Sequence, residues 1–98
     1  MNNKNPAIYI LASQQNGTLY IGVTSDLYTR IWQHKNKVVN GFSKTHNISM
    51  LVCYEVFDNM ESAITREKQL KGGSRVKKLK LIESMNLNWN DLYDEIVG

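Results

Sequence analysis

The chain is short of the residues that staple, chelate or anchor. Cys53 is its one cysteine, which excludes a disulfide framework and a cysteine-based zinc site. It lies in the apolar run Met50-Leu51-Val52-Cys53-Tyr54 and reads as a small buried side chain rather than a nucleophile. No apolar run approaches the length of a membrane span. The amino terminus, Met1-Asn2-Asn3-Lys4-Asn5-Pro6, is polar and lacks a hydrophobic signal core, so residues 1–6 read as a flexible lead-in and the protein as cytoplasmic. Acids are scarce between Arg66 and Lys80, where Arg66, Lys68, Lys71, Arg75, Lys77, Lys78 and Lys80 face Glu67 alone. Bases are missing from Glu83 onward, where Glu83, Asp91, Asp94 and Glu95 follow. With a net charge of only +3, this split excludes a uniform polycation and points to one basic surface able to meet a nucleic-acid backbone. Taken alone, a lysine run reads first as a solvated helix face.

What is present fits one domain, residues 1–98, with a single modest core. Two short apolar runs, 7–12 and 18–23, flank Gln14-Gln15-Asn16-Gly17, whose Asn-Gly is a strong hairpin signal. Side chains alternate across a strand, so a two- or four-residue loop puts Tyr9 and Tyr20 on one face and a three-residue loop separates them. The two-residue register staggers them by about 13 Å along the strand. The four-residue register halves that offset and is favoured here. A helix is expected from Ser25-Asp26 to about Val39, stopped by Asn40-Gly41, with Leu27, Ile31 and Val38 in its apolar stripe. A linker over 42–47 leads to a third strand over about 49–57. A second helix runs from Asn59 to Gly72-Gly73, a third from Ser74, and a final turn or two after Asn90. Nothing divides or repeats along the chain.

Two of these helices carry an ionisable residue where an apolar one would pack better. His34 interrupts the first stripe and Glu67 the second, and burying such groups without partners is costly. Arg30 and His34, four apart, share a helix face. Each residue has an ordinary reading: a strand tyrosine packs, Arg30 pairs with Asp26, His34 satisfies itself within its helix, and Glu67 pairs with Lys71. The joint pattern shifts the balance. Phosphodiester cleavage needs an activated nucleophile, compensation for growing phosphate charge and help for the leaving oxygen. Tyr9, Tyr20, Arg30, His34 and Glu67 can supply these from one cleft between sheet and helices.

These residues resemble the GIY-YIG nuclease superfamily, and more narrowly its small stand-alone bacterial members. Ala7-Ile8-Tyr9 matches the first motif, Tyr20-Ile21-Gly22 the second, Gly22 to His34 the helix bearing the arginine and histidine, and Arg66 to Lys71 the segment bearing the glutamate. Ala7 departs from the first glycine of the pattern. Gly73 stands where relatives often have tryptophan, and Leu87 where they often have proline. The resemblance implies an α/β (α+β) layered domain of order ββαβαα, with a central three-stranded antiparallel sheet flanked by helices. It also implies one divalent ion, usually magnesium with manganese as a substitute, bound by Glu67, and no small-molecule cofactor. The partner it implies is DNA rather than a membrane, cut in repair or processing with structure-directed or weak sequence preference. By the same analogy Tyr9 is the general base, His34 tunes its hydroxyl, Tyr20 orients water or phosphate, and Arg30 holds the scissile phosphate. An ordinary tyrosine, with a pKa of about 10, needs cationic neighbours to do this near neutrality. Lys68, Lys71, Arg75 and Lys77 follow Glu67 closely and are expected to guide the DNA backbone. The alternative is a nucleic-acid-binding module whose site is idle or waits for a partner, and a third is a structural role for a retired nuclease fold. The five-residue set favours the enzyme.

Overall fold

All six residues of β1 (Ala7–Ala12) are buried, because this strand runs down the middle of the sheet. β2 (Leu19–Thr24) and β3 (Met50–Val56) flank it, both antiparallel, in the order β2-β1-β3. The structure, a computed structural model, describes residues 5–38 and 41–97. The expected lead-in over 1–4 and the expected stop residue Asn40 lie outside the described residues. The first helix, expected to run to about Val39, stops at Lys35 with Asn36 as its cap, and Val38, expected in its apolar stripe, is exposed. Pro6, by contrast, is tied down. Its carbonyl accepts the Phe57 N–H at 2.8 Å and extends the β1–β3 pairing by one residue.

Alternation along β1 sorts the core into two layers. Ile8, Ile10 and Ala12 face one way, with Ile21 of β2 beside them, under Ala63 and Leu70 of α3 (Met60–Gly72) and Ile82 of α4 (Arg75–Met85). Tyr9 and Leu11 face the other way, with Tyr20 of β2, under Ile31 of α1 (Leu27–Lys35) and against Tyr93 and Ile96 of α5 (Tyr93–Val97). Full burial of an isoleucine such as Ile8 or Ile10 stabilises the fold by roughly 1.5–3 kcal/mol. Caps start the three long helices where the sequence places them. Asp26 accepts from the Thr29 N–H, Asn59 from Ser62 and Ser74 from Lys77. Asp26 also accepts the Thr29 hydroxyl at 2.9 Å, so it serves its own helix end.

The expected three-stranded antiparallel sheet between helices is present, with two additions. Phe42–Thr45, expected as linker, closes into a single helical turn, α2. Its cap, Gly41, has φ 114°, a backbone open to glycine and strained for other residues. The second addition is a bulge in β3. Ile10 pairs with Cys53 but Leu11 with Leu51, leaving Val52 as an extra residue. The bulge keeps Leu51 and Tyr54 in one layer despite their odd spacing, and turns Val52 and Cys53 together into the other. It also frees the Val52 carbonyl, which accepts from the buried Asn86 side chain at 3.1 Å. Beside it the Leu51 carbonyl accepts from the Leu92 N–H at 2.7 Å, and the Leu51 N–H donates to Asp91. The segment 86–92 thus covers the open edge of β3. Trp89 closes that segment at φ 56° with its ring in the core, its indole N–H on Glu83.

Candidate active site

Tyr9 sits opposite Gly22 across the β1–β2 ladder, and Tyr20 sits opposite Leu11. Ser13 and Thr18 close the hairpin around residues 14–17, the four-residue register, so the two tyrosines are offset by two positions on one face. Gly22 matters here for its missing side chain. A Cβ at that position would overlap the phenol ring and oxygen of Tyr9, so the ring lies across bare backbone. Gly22→Ala is expected to cost about 1–3 kcal/mol in denaturant unfolding, because the ring must leave its place. A stable Gly22→Ala protein with an unmoved tyrosine signal would show that the ring has other room.

The phenol oxygen of Tyr9 is 3.0 Å from Nε2 of His34, a buried contact between β1 and α1. The other ring nitrogen of His34, Nδ1, lies 2.9 Å from the Ser43 hydroxyl on α2. Tyr9 is 2 % exposed, and His34 and Ser43 are 4 % exposed. Tyr20 leans on both rings, its centroid 6.4 Å from Tyr9 and 5.4 Å from His34, and is itself half-buried. Ser43 and Gly22 carried no role in the sequence reading. Gly22 was reachable from hairpin parity, which places it opposite Tyr9. Ser43 lies in a turn too short to show a periodicity.

Burial, aided by the charge of Arg30, lowers His34 from its ordinary 6.5 to about 4, so the imidazole is neutral near pH 7. Burial raises Tyr9 above the ordinary phenol range. Tyr20 and Glu67 add to the rise, and Arg30 opposes it. The sequence expectation was that cations would make Tyr9 more acidic. In the protein alone desolvation outweighs Arg30, and the phenol keeps its proton. Arg30 on α1 and Glu67 on α3 are thus close enough for their charges to be felt at the Tyr9 phenol, although neither contacts it among the described hydrogen bonds. Of the five residues expected at an open cleft, Tyr9 and His34 are buried, and Tyr20, Arg30 and Glu67 are partly exposed.

Glu67 is 15 % exposed, and one oxygen takes the Lys71 ammonium at 3.0 Å. Among the described residues no three His, Cys, Asp or Glu side chains gather as a metal cage. A lone carboxylate at a rim suits a hard divalent cation that keeps water and phosphate oxygens in most of its shell. The basic residues after it divide. Lys68 and Lys77 are exposed, and Lys71 is on Glu67. Arg75 instead donates to the carbonyls of Asn16 and Gly17 at 2.8 and 2.7 Å, clamping α4 to the hairpin. Arg66 is held by both carboxylate oxygens of Glu55.

The depressed His34 has a measurable consequence. The unfolded chain binds its proton near pH 6.5 and the folded chain only near 4, so the unfolded state carries more protons in between. Stability contributed by neutral His34 is therefore present above pH 6.5 and lost as pH falls toward 4, by about 3 kcal/mol in full. Denaturant midpoints from pH 7 to 4.5 are expected to fall more steeply for the native protein than for His34→Gln. Parallel slopes would place the titration elsewhere.

Residues 5–80 match the GIY-YIG catalytic domain. The chain is 40 % identical over 75 residues to a UPF0213 protein of Staphylococcus saprophyticus, covering 76 % of this chain and 90 % of that one. It is 33 % identical over 89 residues to a UPF0213 protein of Clostridium perfringens, covering 91 % and 95 % respectively. The fold is similar to the solution NMR structure of a UPF0213 protein from Bacillus halodurans, with a TM-score of 0.55 and 27 % identity over 89 % of this chain and 92 % of that one.

Proposed function

The chain belongs to the GIY-YIG family and carries its nuclease domain, and from that premise we propose that it is a divalent-metal-dependent DNA endonuclease. The observation that carries the reading is the Tyr9 phenol, hydrogen-bonded to His34 at 3.0 Å and within electrostatic reach of Tyr20, Arg30 and Glu67. Tyr9 is the general base. As its oxygen takes a proton from the attacking water, its own proton passes to Nε2 of His34, and the water oxygen bonds to phosphorus. As the bond from phosphorus to the leaving oxygen breaks, that oxygen takes up the proton that water gave to Tyr9, through solvent, and His34 returns its own proton to the Tyr9 oxygen. Arg30 holds the scissile phosphate and offsets its growing charge. Tyr20 orients the water at the rim. Glu67 would hold a magnesium or manganese ion, which when bound would neutralise charge on the phosphate and leaving oxygen and offset the negative influence of Glu67 on Tyr9.

Lys68 and Lys77, together with Lys71 once it leaves Glu67, are the residues proposed to track the DNA backbone, while Arg75 contributes by holding the hairpin. Such contacts are independent of sequence, which suits structure-directed or weakly specific cleavage in DNA repair or processing. Neutralising Lys68 and Lys77 together is expected to weaken binding to unrelated sequences equally and to flatten the salt slope by about two. An unchanged slope makes them a solvated helix face. The proposed activity itself is tested by incubating the protein with branched, flapped, nicked and duplex DNA, with magnesium, with manganese and with chelator. Metal-dependent cutting of one or more forms, lost in Glu67→Ala, supports the reading. Binding without cutting under every condition transfers it to a nucleic-acid-binding module.

A further inference from the structure

We propose that Ser43 is a positioning residue that fixes the tautomer of His34, so that Nδ1 carries the ring proton and Nε2 is free to receive the proton of Tyr9. The inference rests on the assignment of Tyr9 as the base, and adds to it a residue from a turn outside the motifs that mark the site. Three observations carry it. Ser43 is 4 % exposed, although a serine on a one-turn helix is ordinarily turned to water. Its hydroxyl lies 2.9 Å from Nδ1, while Nε2 lies 3.0 Å from the Tyr9 oxygen, so among the described residues the imidazole is bracketed by two hydroxyls and by no carboxylate or carbonyl. The turn that carries it is held in place at both ends: the Thr45 N–H donates to the Gly41 carbonyl at 3.0 Å, and the Ile48 N–H to the Ser43 carbonyl at 2.8 Å.

A neutral imidazole has one donor and one acceptor nitrogen, and the hydrogen bond at one decides the state of the other. Of the two hydroxyls the phenol is the stronger acid and the better donor. Tyr9 therefore donates to Nε2, and Nδ1–H donates to Ser43. The opposite arrangement would aim Nε2–H at the phenol oxygen and occupy the lone pair that must take the proton from water. Serine has a second effect on the same step. When Nε2 accepts the phenolic proton the ring becomes positive in a buried place, and the Ser43 oxygen is the acceptor on its far side.

The tautomer can be read without cleavage, by two-bond proton–nitrogen spectra of protein labelled with nitrogen-15 in histidine, with His46→Gln used to assign His34. The native protein is expected to show His34 with a protonated Nδ1 and a bare Nε2. Ser43→Ala is expected to shift it toward Nε2–H, the form a free imidazole prefers, and to slow DNA cleavage about five- to tenfold, the worth of one buried hydrogen bond. Ser43→Thr, which keeps the hydroxyl, is expected to restore both. A native protein with its proton on Nε2 overturns the proposal whatever the variants do, and so does a Ser43→Ala protein that keeps the Nδ1–H form and the native rate. The spectra stand even if no DNA is cut, so failure of the nuclease reading and failure of this one are separable.

Discussion

Tyr9→Phe is expected to lower the cleavage rate by roughly two to four orders of magnitude while leaving DNA affinity close to native. The substitution removes one oxygen and keeps the ring that fills the space over Gly22, so the fold has little reason to respond. What disappears is the hydroxyl partnered with His34, the group proposed to take the proton of water. In the proposed mechanism His34 acts through that same oxygen, so His34→Ala combined with Tyr9→Phe is expected to cost far less than the sum of the two losses. Single-turnover rates at saturating DNA separate this from a binding defect. If Tyr9→Phe cuts at the native rate and Tyr20→Phe does not, the base is the half-exposed tyrosine and the two exchange roles.

Glu67→Gln is expected to abolish metal-dependent cleavage and to leave most DNA affinity intact. The amide keeps the size and position of the side chain but not the charge that attracts a cation. It also releases the Lys71 ammonium, now held at 3.0 Å, for phosphate. Binding measured in chelator is therefore expected to be equal to or tighter than native, and cleavage in magnesium or manganese to fall to background. Equal loss of both would assign Glu67 to the DNA surface or the fold rather than to the ion.

The parts of the site legible in the sequence are those governed by short-range periodicity. Hairpin parity put Tyr9 and Tyr20 on one face, and helical spacing put Arg30 and His34 on another that meets it. Caps at Asp26, Asn59 and Ser74 set where three helices begin. Depth was not legible. Parity says which way Tyr9 points, but the helix laid over it buries it to 2 %, and that burial reverses the expected direction of its acidity. The bulge at Val52 has no glycine or proline to announce it, and the carbonyl it frees finds its partner in Asn86, 34 residues away. Ser43 was hidden for a related reason. A single turn offers no repeat, and its partner His34 is reached only through the packing of α2.

The placement of Tyr9 on the central strand has a bearing on how the protein ages and fails. An edge strand or a loop can fray and re-form many times while the rest of a molecule stays folded, and a catalytic group carried there is lost first. β1 is zipped along both sides by β2 and β3 and covered above and below. Its amides are expected to be among the last to exchange with solvent, and the Tyr9 oxygen is held with them. The activity proposed for Tyr9 is therefore expected not to outlast the sheet on heating, and cleavage that survives melting of the sheet would place the base elsewhere.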